Sequence, residues 1–521
     1  MYEPDLPYDS RRAPVAADNL VATSQPLAAQ AGLDMLRRGG NAVDAALAAA
    51  IALTVVEPTS NGIGSDAFAL LWDGTRLVGI NGSGRAPAQW TLERFAGRTS
   101  MPRTGWDAVT VPGAVSVWVA LSDAYGRLPF ADLFAPAIHY ARDGFAVGPI
   151  TAHYWRQDLA QFADFPEFQR HFGPAPAAGA RVRLPDAARS LEEIAASKGE
   201  SFYRGDLAAR IARAAAAEGG ALGLADLAAH RADWVTPIAQ AYRDVVLHEI
   251  PPNGQGLAAQ IALGILARRA PPPRDSVDAM HLQIEAMKLA LGAAWEHFAD
   301  PAAMRLSPED LLEPGALDRA AARIGPRALP VPPVSLPVSL DTVYLCAADT
   351  SGMMVSFIQS NFHGFGSGVV VPGTGIALQN RGYGFSLDPA HPNCVAPGKR
   401  PFHTIIPGFL TRDGLPLAAF GVMGGHMQAQ GHVQMVTRLV DYGQNPQAAS
   451  DAPRWRVEPD FSVALEASFA PAVAEDLAAR GHRVVIDASA RGFGGAQIAW
   501  RTASGYVGGS DHRKEGAAVG F

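Results

Sequence analysis

The sequence predicts layered α and β structure, an α+β fold and not a doubly wound one. Three observations carry this. From about residue 115 to 325 apolar residues recur at helical spacing, about 3.6 residues apart. At Ala328–Leu340 the composition changes to a Pro-rich stretch with no helical period. Immediately after it the chain shows paired strand signals around short turns. At roughly 150 residues per domain, 521 residues allow three to four domains or one large α/β unit.

Residues 1–20 are polar and contain proline, so they read as a surface lead-in. Ser24 is placed to cap a helix with Pro26 in its first turn, and Gly39-Gly40 ends that helix. Asn41 starts a second helix through Val56, whose alanines allow close packing. A Gly-rich loop, Asn61–Asp66, leads into strands Ala67–Trp72 and Leu77–Ile80 around Asp73-Gly74. Helices are expected near 130–143, 206–218, 255–268 and 276–298. The segment Ala328–Leu340 should be extended and lie on the surface. Thr342–Ala348 and Met353–Ser360 read as one hairpin, and Thr404–Thr411 with Leu415–Val422 as a second. A helix follows at about Gln428–Tyr442, and strands Ala496–Arg501 and Tyr506–Gly509 close the chain.

Composition excludes several classes. Lys+Arg 43 against Asp+Glu 50 leaves a net charge of −7, without the basic footprint of a nucleic-acid binder. Only Cys346 and Cys394 are present, too few for a disulfide scaffold or a Cys-rich metal site. Met1–Asp5 has neither a basic start nor an apolar run, and Ala45–Val56 falls short of the ~18 residues of a membrane span. A cytoplasmic protein is the expectation. G-x-S-x-G, P-loop and H-E-x-x-H motifs are absent. His426 and His432 lack a Cys or carboxylate cluster and read as surface or loop histidines, not zinc ligands; no metal or organic cofactor is expected.

The junction Leu340-Asp341-Thr342 is the most informative point. A strand starts there on a hydroxyl residue, straight after the Pro-rich segment. If the Asp341–Thr342 bond is cut, Thr342 gains an α-amine of pKa near 7.7–8.0, able to act as base for its own hydroxyl. The plain alternative is a β-branched strand starter. Gly424-Gly425, between a strand and a helix, can aim successive N–H groups at one spot, as an oxyanion hole requires. An unliganded strand–helix turn is the plain alternative there.

Ordered matches along nearly the whole chain then resemble the γ-glutamyltranspeptidase family of N-terminal-nucleophile hydrolases. They are Ala22–Ala28, Gly39–Ala46, Glu57-Pro58 with Gly62–Asp66, Val111–Ala114, Pro251–Gly256, Thr342 with Asp349 and Gly352, Gly398–Pro401, Gly424-Gly425 and Asp451–Arg454. The resemblance implies an αββα four-layer sandwich. It also implies a precursor that cuts itself between Asp341 and Thr342 into a large subunit 1–341 and a small subunit 342–521, folded as one unit. Homo-oligomers of such heterodimers are compatible with it. Carried over, Thr342 is the nucleophile for processing and catalysis, Ser360 supports the terminal amine in place of a threonine, and Gly424 and Gly425 form the oxyanion hole.

The substrate pocket departs from the family pattern. The carboxylate-gripping arginine falls at Ser83, with Arg85 two residues on. The aspartate for the substrate α-amine falls at Gly384, and the paired serines fall at His403 and Thr404. A glutamyl head group thus loses both charged partners, each worth about 1.5–3 kcal/mol. Arg381, His403, Thr404, Arg85 and Ser83 are the candidate substrate-binding residues. Together they suit a small anionic amide without an α-amino group, such as oxamate, and the plan is similar to the oxamate amidohydrolase branch. Arg381 in a structural salt bridge and His403 as a core histidine are the alternatives. Two other functions stay open: a γ-glutamyl hydrolase or transferase acting on glutathione, and an unprocessed non-catalytic homologue. An acylase for bulkier side chains is a further variant of the enzyme reading.

Overall fold

The computed structural model describes residues 12–330, 332, 334–336 and 341–521. Two seven-stranded sheets stack face to face with helices outside both, an αββα sandwich. One sheet runs, in order, Ala517–Gly520, Leu20–Thr23, Val343–Ala348, Met354–Ser360, Asp66–Trp72, Leu77–Asn81 and Asp233–Val235. The other runs Val15–Ala17, Gly505–Ser510, Ala496–Thr502, Leu415–Val422, Gly408–Arg412, Val245–Glu249 and Ile238–Tyr242. Both sheets therefore interleave strands from before and after Thr342.

Strand Val343–Ala348 shows why the sequence folds this way. It is buried on both faces, so it reads as a continuous apolar run. Tyr344, Cys346 and Ala348 enter the layer between the sheets, with Phe68, Ile358, Phe409 and Ala419. Val343, Leu345 and Ala347 face the helical layer built on Ala42–Val56. That helix is buried at every position, which its alanines permit, and Asn41 and Asp44 close a capping box at its start. Helices Gly256–Leu266, Val277–His297 and Met427–Val440 cover the other sheet.

Several expectations need correction. Residues 1–11 lie outside the described part, and the rest of the lead-in is structural: Val15–Ala17 pairs with Gly505–Ser510. The first helix is capped by Gln25, whose Oε1 accepts from Leu27 and Ala28 N–H, while Ser24 Oγ donates to Glu57 at 2.5 Å. The mainly helical region also contains the hairpin Ile238–Tyr242/Val245–Glu249. Its alternation is short and was masked by the helical segments around it; Arg243 at φ 55° makes the turn. The Pro-rich segment is not simply superficial. Residues 331, 333 and 337–340 lie outside the described part, but Val334 and Leu336 are buried in the core and Val334 N–H donates to Pro459 O. His426 and His432 are buried, held 3.3 Å from Glu458 and 2.6 Å from Glu249. Among the described residues no helix is long and apolar enough to cross a membrane.

The Val111–Ala114 motif has a packing cause. A Cβ on Gly113 would meet Gly82 O at 1.5 Å, and one on Gly84 would meet Val111 O at 1.5 Å. Two backbone segments touch there with no room for a methyl. Gly113→Ala is expected to destabilise the fold by roughly 1–3 kcal/mol or more, read as a lower denaturation midpoint. An unchanged midpoint would contradict the close approach.

Candidate active site

The site is built where strand Val343–Ala348 begins. The chain is continuous through Asp341–Thr342, and both residues are buried. Thr342 Oγ1 lies against the Asp341 carbonyl oxygen and 3.2 Å from Ser360 Oγ. Ser360 is carried there by the adjacent antiparallel strand, whose Gln359 is opposite Val343. Its hydroxyl donates to Asp341 O at 3.0 Å and accepts from Phe362 N–H at 2.8 Å. Gln428 Nε2 donates to Thr342 Oγ1 at 3.3 Å, and Gln428 Oε1 accepts from Ile406 N–H at 3.0 Å. Gln428 is a contact that the sequence did not single out. Its signal was its position, three residues past Gly425 in the first turn of Met427–Val440.

Gly424 and Gly425 form the turn into that helix with φ 109° and 56°, a conformation that favours glycine. Neither N–H has a partner among the described residues. Gly425 O is engaged, accepting from Gln255 Nε2 at 2.8 Å and Gln428 N–H at 3.1 Å. Gln255 Nε2 also donates to Thr404 O at 2.6 Å.

Thr404 leads to Arg381. Arg381 Nη1 donates to Thr404 Oγ1 at 2.7 Å, and the guanidinium lies 4.5 Å over the Phe362 ring. Phe362 has φ 81°, a strained backbone for a non-glycine residue. The contacts thus close a ring: Thr342, Ser360, Phe362, Arg381, Thr404, Gln255, Gly425, Gln428 and back to Thr342. Arg381 is 1% exposed, yet Nε and Nη2 have no hydrogen-bond partner and no carboxylate lies within ion-pair distance among the described residues. That argues against the salt-bridge alternative. Burial pulls its pKa down to about 9, opposed by nearby Asp66.

His403 follows the core-histidine alternative. It is fully buried, with Nε2 3.1 Å from Asp66 Oδ2 and Nδ1 accepting from Ile405 N–H at 3.4 Å. Nε2 therefore carries the proton and donates. Burial, with Arg381 and Arg400 nearby, holds His403 neutral by pushing its pKa well below the usual histidine value. Burial pushes the Asp66 carboxyl up to about 7, although Arg381 opposes the rise.

The other two predicted pocket residues are engaged elsewhere. Arg85 is half-exposed and faces Asp300 at 3.5 Å, Asp233 at 3.9 Å and Gly398 O at 3.1 Å. Ser83 is buried and hydrogen-bonded to Asn81 and Asn253, behind His403. At Gly384 a Cβ would meet Phe402 O at 2.8 Å, so the backbone itself leaves no room for an acidic side chain there. One group of potential metal ligands exists among the described residues, His281, Glu285 and His482. It already holds a cation: Lys288 Nζ donates to Glu285 at 2.8 Å and lies 3.1 Å from His482.

A family model described as Gamma-glutamyltranspeptidase matches residues 28–521. The oxamate amidohydrolase proenzyme of Klebsiella pneumoniae is 38% identical, with 97% of this chain and 99% of that protein covered. The glutathione hydrolase-like YwrD proenzyme of Bacillus subtilis is 36% identical over the same shares. Among solved structures, a cephalosporin acylase from Bacillus halodurans superposes with a TM-score of 0.96 at 48% identity, covering 100% of this chain and 99% of that one.

Proposed function

Since this chain belongs to the gamma-glutamyltranspeptidase family of N-terminal-nucleophile hydrolases, we propose that it is a self-processing Thr amidohydrolase acting on a small anionic amide such as oxamate. The observation that carries the substrate class is Arg381: a buried guanidinium with two nitrogens unsatisfied, in one ring of contacts with Thr342.

In processing, Thr342 Oγ1 attacks the Asp341 carbonyl carbon, its proton passes to the peptide nitrogen, and that nitrogen leaves as the Thr342 α-amine with an Asp341–Thr342 ester in place of the amide. Ser360 Oγ, donating to Asp341 O, takes up charge on that oxygen. Water then releases subunits 1–341 and 342–521. In turnover the α-amine takes the hydroxyl proton as Oγ1 attacks the amide, and it protonates the leaving nitrogen. The free N–H groups of Gly424 and Gly425 receive the oxyanion. Arg381 and Thr404 hold the substrate carboxylate. Arg85, Ser83 and His403 support the pocket from behind and do not touch substrate. Gly384 supplies nothing to an α-amino group, which disfavours a γ-glutamyl substrate. The 48% identical acylase favours one second reading, a larger acyl group on the same nucleophile.

The deciding experiment is a panel of oxamate, glutathione and a γ-glutamyl anilide on processed protein, with ammonia or amine release as the readout. Oxamate should be preferred; turnover of glutathione and not of oxamate would reverse the assignment. A pH effect follows from Asp66. Below about 7 its carboxyl is neutral, and Arg381 attracts the anion unopposed. Above it, ionised Asp66 offsets that charge. KM for oxamate should rise as pH climbs through about 7, while kcat follows the α-amine near 8. A KM independent of pH would remove Asp66 from this role.

A further inference from the structure

Self-cleavage uses only the main-chain carbonyl of Asp341, yet its side chain occupies a built site. Oδ1 accepts from Arg491 Nε at 2.8 Å and lies 2.7 Å from Nη2, and Oδ2 accepts from Gly364 N–H at 2.9 Å. Arg491 is fixed by Asp158 through contacts of 2.7 and 3.0 Å, and its guanidinium lies 4.5 Å over the Tyr154 ring. Gly364 has φ 47°, a conformation that favours glycine, and a Cβ there would meet Asp158 Oδ2 at 3.0 Å. Lys514 Nζ stands 5.5 Å over the same tyrosine ring. Lys514 is buried, and its ammonium has no hydrogen-bond partner among the described residues.

We propose that Arg491 and the Gly364 N–H form an acyl-chain carboxylate clamp of the mature enzyme, filled in the precursor by Asp341. This rests on Thr342 being the nucleophile. One atom, Thr342 Oγ1, must reach first the Asp341 carbonyl carbon and later the substrate carbonyl. A carboxylate two carbons from the attacked carbonyl is what the clamp holds in the uncut chain. The substrate class it fits is therefore a monoamide of a four-carbon dicarboxylic acid, such as succinamate, or an N-substituted succinyl amide. Cutting the bond breaks the link of Asp341 to Thr342 and lets a substrate carboxylate compete with its side chain for the clamp. Arg381 and Arg491 then read carboxylates at two distances from the reacting carbon. In turnover Oγ1 bonds to the succinyl carbon, its proton passes through the α-amine to the amide nitrogen, and ammonia leaves. Water adds to the ester, releasing succinate and restoring the hydroxyl.

The test compares succinamate with butyramide, which keeps the four-carbon chain but lacks the carboxylate oxygens, on processed wild-type protein by ammonia release. Succinamate should show a kcat/KM roughly tenfold or more above butyramide, and Arg491→Met should bring the ratio towards one. Because Arg491 also holds the cleavage site, this variant can fail to process. In that case succinate and butyrate are compared as inhibitors of wild-type oxamate turnover. Succinate inhibiting roughly tenfold more strongly supports the clamp, and equal inhibition overturns it. Oxamate turnover with equal rates on succinamate and butyramide overturns the clamp alone. Processed protein that turns over no amide overturns the amidohydrolase reading beneath it.

Discussion

Thr342→Ala is expected to leave a single chain of 54.7 kDa on a denaturing gel, where the parent is expected to give pieces 1–341 and 342–521. Amide hydrolysis should fall by roughly three orders of magnitude or more, because nucleophile and base are lost together. The substitution removes one buried hydroxyl and leaves Gln428 Nε2 short of a partner, a cost of about 1 kcal/mol that a domain of this size tolerates. An unchanged far-ultraviolet spectrum would show that loss of cleavage is chemical. Thr342→Ser, which keeps the hydroxyl and the amine, should still split. Cleavage at the same bond in Thr342→Ala would sink the self-processing mechanism. An uncut parent with no activity would instead favour a non-catalytic homologue.

Arg381→Met should separate function from stability. If Arg381 grips a substrate carboxylate, oxamate kcat/KM should fall roughly tenfold to a hundredfold, mostly through KM, with self-cleavage retained. Stability should hold or rise, because the guanidinium is buried without a carboxylate partner and methionine fills similar space. A structural salt bridge would behave in the opposite way, with the melting midpoint falling and KM unmoved. That outcome would return the pocket to open assignment.

Much of the fold was legible because its signals are local. The helix start at Asn41, the hairpin around Asp349–Gly352 and the glycines before Met427–Val440 each need only neighbouring residues. The hairpin Ile238–Glu249 was not legible, since five-residue alternations are easily lost among helical segments. Gln25 displaced Ser24 as the helix cap because Ser24 is drawn to Glu57, a partner 33 positions away that local sequence cannot reveal.

The candidate site divides along the same line. The sequence by itself determined the family, and it nominated the junction at Asp341–Thr342, the hydroxyl at Ser360 and the paired glycines 424–425 as candidates, because these are identities at fixed spacings in the chain. Only the tertiary structure decided which charges face the site. Arg85 and Arg381 are equally basic on paper, but Arg85 pairs with Asp300 and Asp233 at the surface while Arg381 is buried with two nitrogens unsatisfied. The clamp on Asp341 joins Arg491, Asp158 and Gly364, which are 127 or more positions apart from one another except through the fold. Burial and long-range pairing set the charge state and direction of a side chain, and neither is a property of a residue's neighbours in sequence.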